Sequence, residues 1–284
     1  MKTKDVKICI LRIEGTNCEK ELWQCFKRLG AQPEFVHLNQ LVSSGIEKEK
    51  RRALADYHIL MFPGGFSAGD YVRAGAIWAA RMKSMLRKEL VKFVEDGKPV
   101  GGICNGFQVL VELGLLPGFD TAMSDLPQAV LNINDSSRFE CRPTFMRMEN
   151  KGKCAFTGGY GRKEIVMFPS AHAEGKFMLP REREKKLLKR LIDRDQLVFR
   201  YVDPDGKYMG YPWNPNGALY NIAGICNEQG NVFGMMPHPE RVFYRYQHPV
   251  WTCGGKGRGK ADINSAGDGR RVFESALEYA SRLF

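Results

Sequence analysis

The first third of the chain alternates between short apolar runs and longer stretches that carry one apolar face. Val6 to Ile13 (VKICILRI) is an apolar run of strand length, and Cys18 to Gly30 puts Leu22, Cys25, Phe26 and Leu29 on one helical face before stopping at a glycine. Pro33 to Leu38 reads as strand again. Tyr57 to Phe62 (YHILMF) predicts a buried strand ended by Pro63-Gly64-Gly65, and Ala76 to Gly97 is the longest amphipathic helix. Strand Pro99 to Ile103 (PVGGI) follows, then Cys104 and a helix over Phe107 to Gly114. Strand alternating with helix predicts a parallel sheet covered by helices on both faces.

After about residue 120 the rhythm changes. Arg138 to Met148, Glu164 to Ser170, Gln196 to Asp203, Asn221 to Asn227 and Asn231 to Pro237 are strand-like and separated by turn chemistry, which predicts added antiparallel strands. Arg270 to Phe284 predicts a closing helix. With no internal repeat and no long linker, the pattern predicts one α/β domain over residues 1–284.

Composition adds exclusions. Hydrophobic residues at 43% and charged residues at 26% set disorder aside. The net charge of +11 is scattered, and its densest run, Arg181 to Arg194, mixes both signs as a solvated helix face does. No basic stripe interleaved with aromatics points to nucleic acid, and no apolar stretch is long enough for a signal peptide or a membrane span. Eight cysteines without a C-x-x-C pair suit a cytoplasmic chain of reduced thiols, mostly small buried hydrophobes, with no metal site. Gly254 to Lys260 has G-x-x-x-x-G-K spacing, but Ala261 follows where a phosphate loop needs Ser or Thr, so this stretch reads as a surface loop.

Gly102-Ile103-Cys104-Asn105-Gly106 has the spacing of a nucleophile elbow, between an apolar strand and a helix. Glycine two residues either side of the cysteine relieves the clash of a sharp strand-to-helix turn. The turn sets the sulfur at a helix N-terminus, which favours thiolate, and aims the Asn105 N–H where an oxyanion would form. Such a nucleophile needs a base. Among His37, His58, His172, His238 and His248, the sequence favours His238: Pro239 biases it to an extended conformation, and Glu240 two residues on would stand on the same side, fixing the imidazole tautomer. A second oxyanion donor is expected from the glycine-rich stretch Phe62 to Asp70 (FPGGFSAGD), at Gly65.

Together, GICNGFQ, PGGFSAGD and MMPHPER resemble the class I (triad) glutamine amidotransferases. GTNCE (15–19), NDSSRFECR (134–142), AHAEGKF (171–177) and NPNGALYNIAGICN (214–227) narrow the resemblance to the glutaminase subunits of phosphoribosylformylglycinamidine synthase, over nearly the whole chain. The resemblance implies a flavodoxin-like doubly wound sheet, a Cys104-His238-Glu240 triad, and Gln108 as a residue that helps hold the substrate glutamine. It further implies that ammonia passes to a separate large synthetase subunit, with a small bridging subunit. ATP and Mg²⁺ are then used by that partner, with no cofactor in this chain. His172 and Glu174 fall in a family-typical motif with no role assigned.

Ala68 stands where relatives often carry an aromatic residue, Ala173 where glycine is common, and about 244–262 reads as an insertion. Two alternatives remain at this level. One is a glutaminase subunit serving another acceptor, against which GTNCE and AHAEGKF argue. The other is a cysteine-elbow protein of the DJ-1/PfpI type, in which histidine commonly follows the nucleophile, whereas here Asn105 follows it.

Overall fold

The computed structural model describes residues 1–42, 45–252 and 264–284. The G-x-x-x-x-G-K stretch from Gly254 to Lys260, Cys253 and the second half of the expected insertion lie outside the described residues. The first half holds a 3-10 turn at Arg245–Gln247.

In chain order the elements are β1 (Lys7–Arg12), α1 (Glu19–Arg28), β2 (Gln32–His37), α2 (Leu38–Val42), β3 (Ile59–Phe62), α3 (Ala76–Glu95), β4 (Val100–Ile103) and α4 (Asn105–Glu112). There follow β5 (Val130–Ile133), β6 (Glu140–Met148), β7 (Ile165–His172), β8 (Glu174–Met178), α5 (Glu184–Asp193), β9 (Leu197–Val202), β10 (Ile222–Cys226), β11 (Val232–Met235) and α6 (Arg270–Leu283). No described helix is long and apolar enough to cross a membrane.

Nine strands form one sheet in the order β2-β1-β3-β4-β11-β10-β9-β6-β7. The first five are parallel, which is the flavodoxin-like order with β11 in fifth place. The run at 231–237 therefore differs from the antiparallel strands it was grouped with: β11 pairs parallel with β4 and antiparallel with β10. The other added strands are antiparallel as expected. β3, β4, β9, β10 and β11 are buried at every position, so both faces of the sheet are covered. All eight residues of α4 are buried as well, consistent with its apolar sequence. Phe26 of α1 meets Phe273 of α6 edge-on at 5.3 Å, joining the first and last long helices in one layer.

A two-stranded sheet of β5 and β8 was not anticipated. β5 is only four residues long and half exposed, so its apolar signal is weak. β8 follows β7 after a single residue, and β7 itself runs to His172, two residues beyond the strand-like run that ends at Ser170.

Candidate active site

The carboxyl ends of β1, β3, β4 and β11 converge on one edge of the sheet, the edge where doubly wound folds bind ligands. β4 delivers Cys104 there with φ 53 and ψ −111, a strained conformation for a non-glycine residue. The flanking glycines are required on steric grounds. A Cβ on Gly102 would stand 2.5 Å from the Gly106 carbonyl oxygen, and one on Gly106 would overlap the Phe62 carbonyl of β3. Gly106 thus makes room for the neighbouring strand rather than for residue 102. The elbow is fixed by the Cys104 N–H, which donates to the Met235 carbonyl at 2.8 Å. Its sulfur lies in a cavity of about 260 Å³, with the residue only 6% exposed. Among the described residues the exposed cysteine is Cys141; Cys9, Cys18, Cys25, Cys154 and Cys226 are buried.

His238 follows β11, and its N–H donates to the Pro169 carbonyl of β7 at 2.8 Å. Its Nδ1 lies 2.5 Å from Glu240 Oε1, both side chains being 1% exposed. The pair forms by a different route from the one the sequence suggested. Only His238 is extended (φ −102, ψ 93), while Glu240 sits in the 3-10 turn Pro239–Val242, which folds its carboxylate back onto the imidazole. Burial alone would lower the His238 pKa, but the Glu240 carboxylate and the Cys104 sulfur outweigh it and push it up to about 10. Nε2 of His238 has no hydrogen bond of good geometry in the described chain, which leaves it free to serve Cys104 or a substrate.

Gly65 has φ +131, and a Cβ there would stand 2.8 Å from the Asn17 backbone nitrogen. An isolated bridge between Thr16 and Gly65 ties the loop after β3 to the loop after β1. Among the described residues, neither the Gly65 N–H nor the Asn105 N–H donates to another group. The Asn105 side chain knits the elbow to the β3 loop, accepting from the Ser67 N–H at 3.2 Å and donating to Asp70 Oδ1 at 3.2 Å and Gln108 Oε1 at 2.9 Å.

Gln108 lines the cavity, and its Nε2 donates to the Glu174 carbonyl at 2.5 Å. It therefore braces the wall formed by β8, with its carboxamide already engaged at both ends. His172 and Glu174 line the same cavity.

Several lining residues were not singled out from the sequence. Burial first, and then the Glu174 charge, push the Asp70 carboxyl up to about 6. Arg241 also lines the cavity and donates to Glu21 Oε2 at 2.9 Å and to Cys18 Sγ at 3.3 Å. Cys18, Glu21 and His238 bring ligand atoms within 4.8 Å of one another, and the Arg241 guanidinium already supplies positive charge to two of them. All four of Cys18, Glu21, Asp70 and Arg241 lie in or beside motifs quoted above, but their convergence from positions 18 to 241 is tertiary.

Comparison with known proteins bears on the family and the fold. Residues 5–280 match the CobB/CobQ-like glutamine amidotransferase domain. The chain is 52% identical over 285 residues to phosphoribosylformylglycinamidine synthase subunit PurQ of Archaeoglobus fulgidus, covering 100% of both. It is 39% identical to the subunit of that name in Dehalococcoides mccartyi, covering 98% of this chain and 99% of the other. A chain of the solved PurLQS from Thermotoga maritima superposes with a TM-score of 0.67 at 30% identity, over 97% of this chain and 99% of that one.

Proposed function

The chain belongs to the CobB/CobQ-like glutamine amidotransferase family, and on that footing we infer that it is the glutaminase subunit of a phosphoribosylformylglycinamidine synthase, acting in purine biosynthesis in the cytoplasm. Relatives matched over their full length bear the name phosphoribosylformylglycinamidine synthase subunit PurQ. The observation that carries the chemistry is the buried His238-Glu240 pair beside the strained Cys104.

Cys104 thiolate attacks the carboxamide carbon of glutamine, and the oxyanion that forms is held by the free N–H groups of Gly65 and Asn105. His238 imidazolium gives its Nε2 proton to the amide nitrogen, the C–N bond breaks and ammonia leaves a γ-glutamyl thioester on Cys104. Water deprotonated by His238 then attacks the thioester, releasing glutamate and restoring the thiolate. Glu240 holds the imidazole by Nδ1 and stabilises its cation. Asp70 and Glu174 offer negative charge to the substrate α-ammonium, Arg241 offers positive charge to its carboxylate, and Gln108 keeps the β8 wall in place.

Ammonia passes to a separate synthetase subunit that converts formylglycinamide ribonucleotide, with a small bridging subunit between the two. ATP and Mg²⁺ are used there, and this chain needs no cofactor of its own. The solved relative belongs to a PurLQS assembly, which supports this arrangement. In the reconstituted complex, Cys104→Ala should abolish product formation from glutamine and leave formation from ammonium nearly intact. Loss of both, in a protein that still assembles, would refute the division of labour.

A further inference from the structure

The mechanism leaves one buried imidazole unused. His172 ends β7, is 3% exposed and lines the cavity that holds Cys104. The residue before it, Ala171, has its carbonyl 3.6 Å from the Cys104 sulfur.

The tautomer of His172 follows from its neighbour Asn134. The Asn134 Nδ2 donates to the carbonyls of Arg138 at 2.9 Å and His172 at 2.8 Å. Its Oδ1 is therefore the atom that accepts the Gly175 N–H at 3.1 Å and lies 3.2 Å from His172 Nδ1. An acceptor facing Nδ1 requires the proton to be on Nδ1, which leaves Nε2 with a bare lone pair. That Nε2 is buried and has no partner in the described chain. The ring is also held in place, because Gly175 packs so close that a Cβ there would stand 2.5 Å from its Cε1. Burial and then the nearby His238 push the His172 pKa down to about 3, so the ring stays neutral wherever the enzyme works. The cavity thus holds two imidazoles with opposite capacities: His238 charged and donating, His172 neutral and only accepting at its free nitrogen.

We propose that His172 Nε2 accepts a hydrogen bond from the carboxamide nitrogen of the substrate glutamine, making His172 a further catalytic residue of the glutaminase site. The inference rests on the glutaminase reading above. In the tetrahedral intermediate the nitrogen carries two N–H groups and one lone pair. Holding one N–H on His172 turns the lone pair toward His238 Nε2–H. The proton moves from His238 to nitrogen, the C–N electron pair stays with nitrogen, the carbonyl re-forms on the thioester, and His172 retains the ammonia by one of its three N–H groups.

The test compares two substrates in the reconstituted complex: glutamine, and the γ-methyl ester of glutamate, whose leaving oxygen carries no N–H. With His172→Phe, kcat/KM for glutamine should fall about tenfold, mainly through kcat, while the ester changes by less than about twofold. Equal losses on both substrates would reduce His172 to a packing residue and overturn the proposal. Should His172→Phe fail to fold, ¹⁵N-imidazole NMR of the unsubstituted chain decides. A neutral, Nδ1-protonated ring from about pH 6 to 9 supports the proposal, and an Nε2-protonated or cationic ring overturns it. An unsubstituted complex that hydrolyses neither substrate overturns the glutaminase reading itself, and the role of His172 with it.

Discussion

A Cβ on Gly64 would stand 2.9 Å from Cε1 of the His238 imidazole and 3.3 Å from the Cys104 Cβ. The loop leaving β3 therefore touches both His238 and Cys104 at a point where it carries no side chain.

Gly64→Ala should disable chemistry while sparing the fold. Gly64 does not occupy the left-handed region, so alanine adds no backbone strain there, and the cost falls on the imidazole it displaces. Because a misplacement of about 1 Å can cost on the order of 100-fold, kcat for glutamine should drop by roughly that factor. Thermal unfolding midpoints and ammonium-dependent synthesis of the complex should stay near those of the parent. A fully active Gly64→Ala protein would mean that His238 is not held where the structure has it.

Glu240→Gln should alter stability in a defined pH window. The folded-state pKa of His238 is raised to about 10, above its ordinary value of about 6.5. Protonation therefore favours the folded state fully below about pH 6.5, and that contribution is lost as pH rises toward 10. Removing the Glu240 charge lowers the folded pKa, so the melting-temperature gap between parent and variant should be widest near pH 6 and close toward pH 10. A gap independent of pH would show that Glu240 does not set the charge of His238.

Thiol chemistry should separate three cysteines. A glutamine-like chloroketone should label Cys104, which shares its cavity with His238, as peptide mapping would show. Cys18 shares the cavity, but burial, then the Glu240 charge, push its thiol up to about 12, so it should stay unlabelled at pH 8. Iodoacetamide, which needs no substrate pocket, should also reach the exposed Cys141. Labelling of Cys18 ahead of Cys104 by the chloroketone would contradict the site.

Substrate affinity should weaken in acid. With the Asp70 carboxyl pushed up to about 6 by burial and Glu174, its charge is present above that pH and lost below it. KM for glutamine should accordingly rise as pH falls through about 6, and Asp70→Asn should have a raised KM with a flatter dependence. A KM that ignores both pH and Asp70→Asn would place the α-ammonium elsewhere.

The sequence alone determined the parallel half of the sheet and the elbow. Apolar runs of strand length alternate there with one-faced helices, and the G-x-C-x-G spacing is visible in the chain, with Gly102 a local steric requirement of the turn. That Gly106 is needed to clear the Phe62 carbonyl of β3 only the tertiary structure shows. The grouping of Cys104, His238 and Glu240 was legible too: an elbow has a fixed spacing, and a histidine two residues from a carboxylate is a short-range pattern, although the 3-10 turn that joins the pair was not. The parallel pairing of β11 was decided only in three dimensions, because an apolar run of four residues carries no record of its neighbour. The β5-β8 ribbon was hidden by half exposure. Tertiary structure alone also decided the chemistry of His172. Its tautomer depends on which end of Asn134 faces it, its neutrality on burial beside His238, and its orientation on Gly175, and these residues meet only after β7 and β8 have folded back over Cys104.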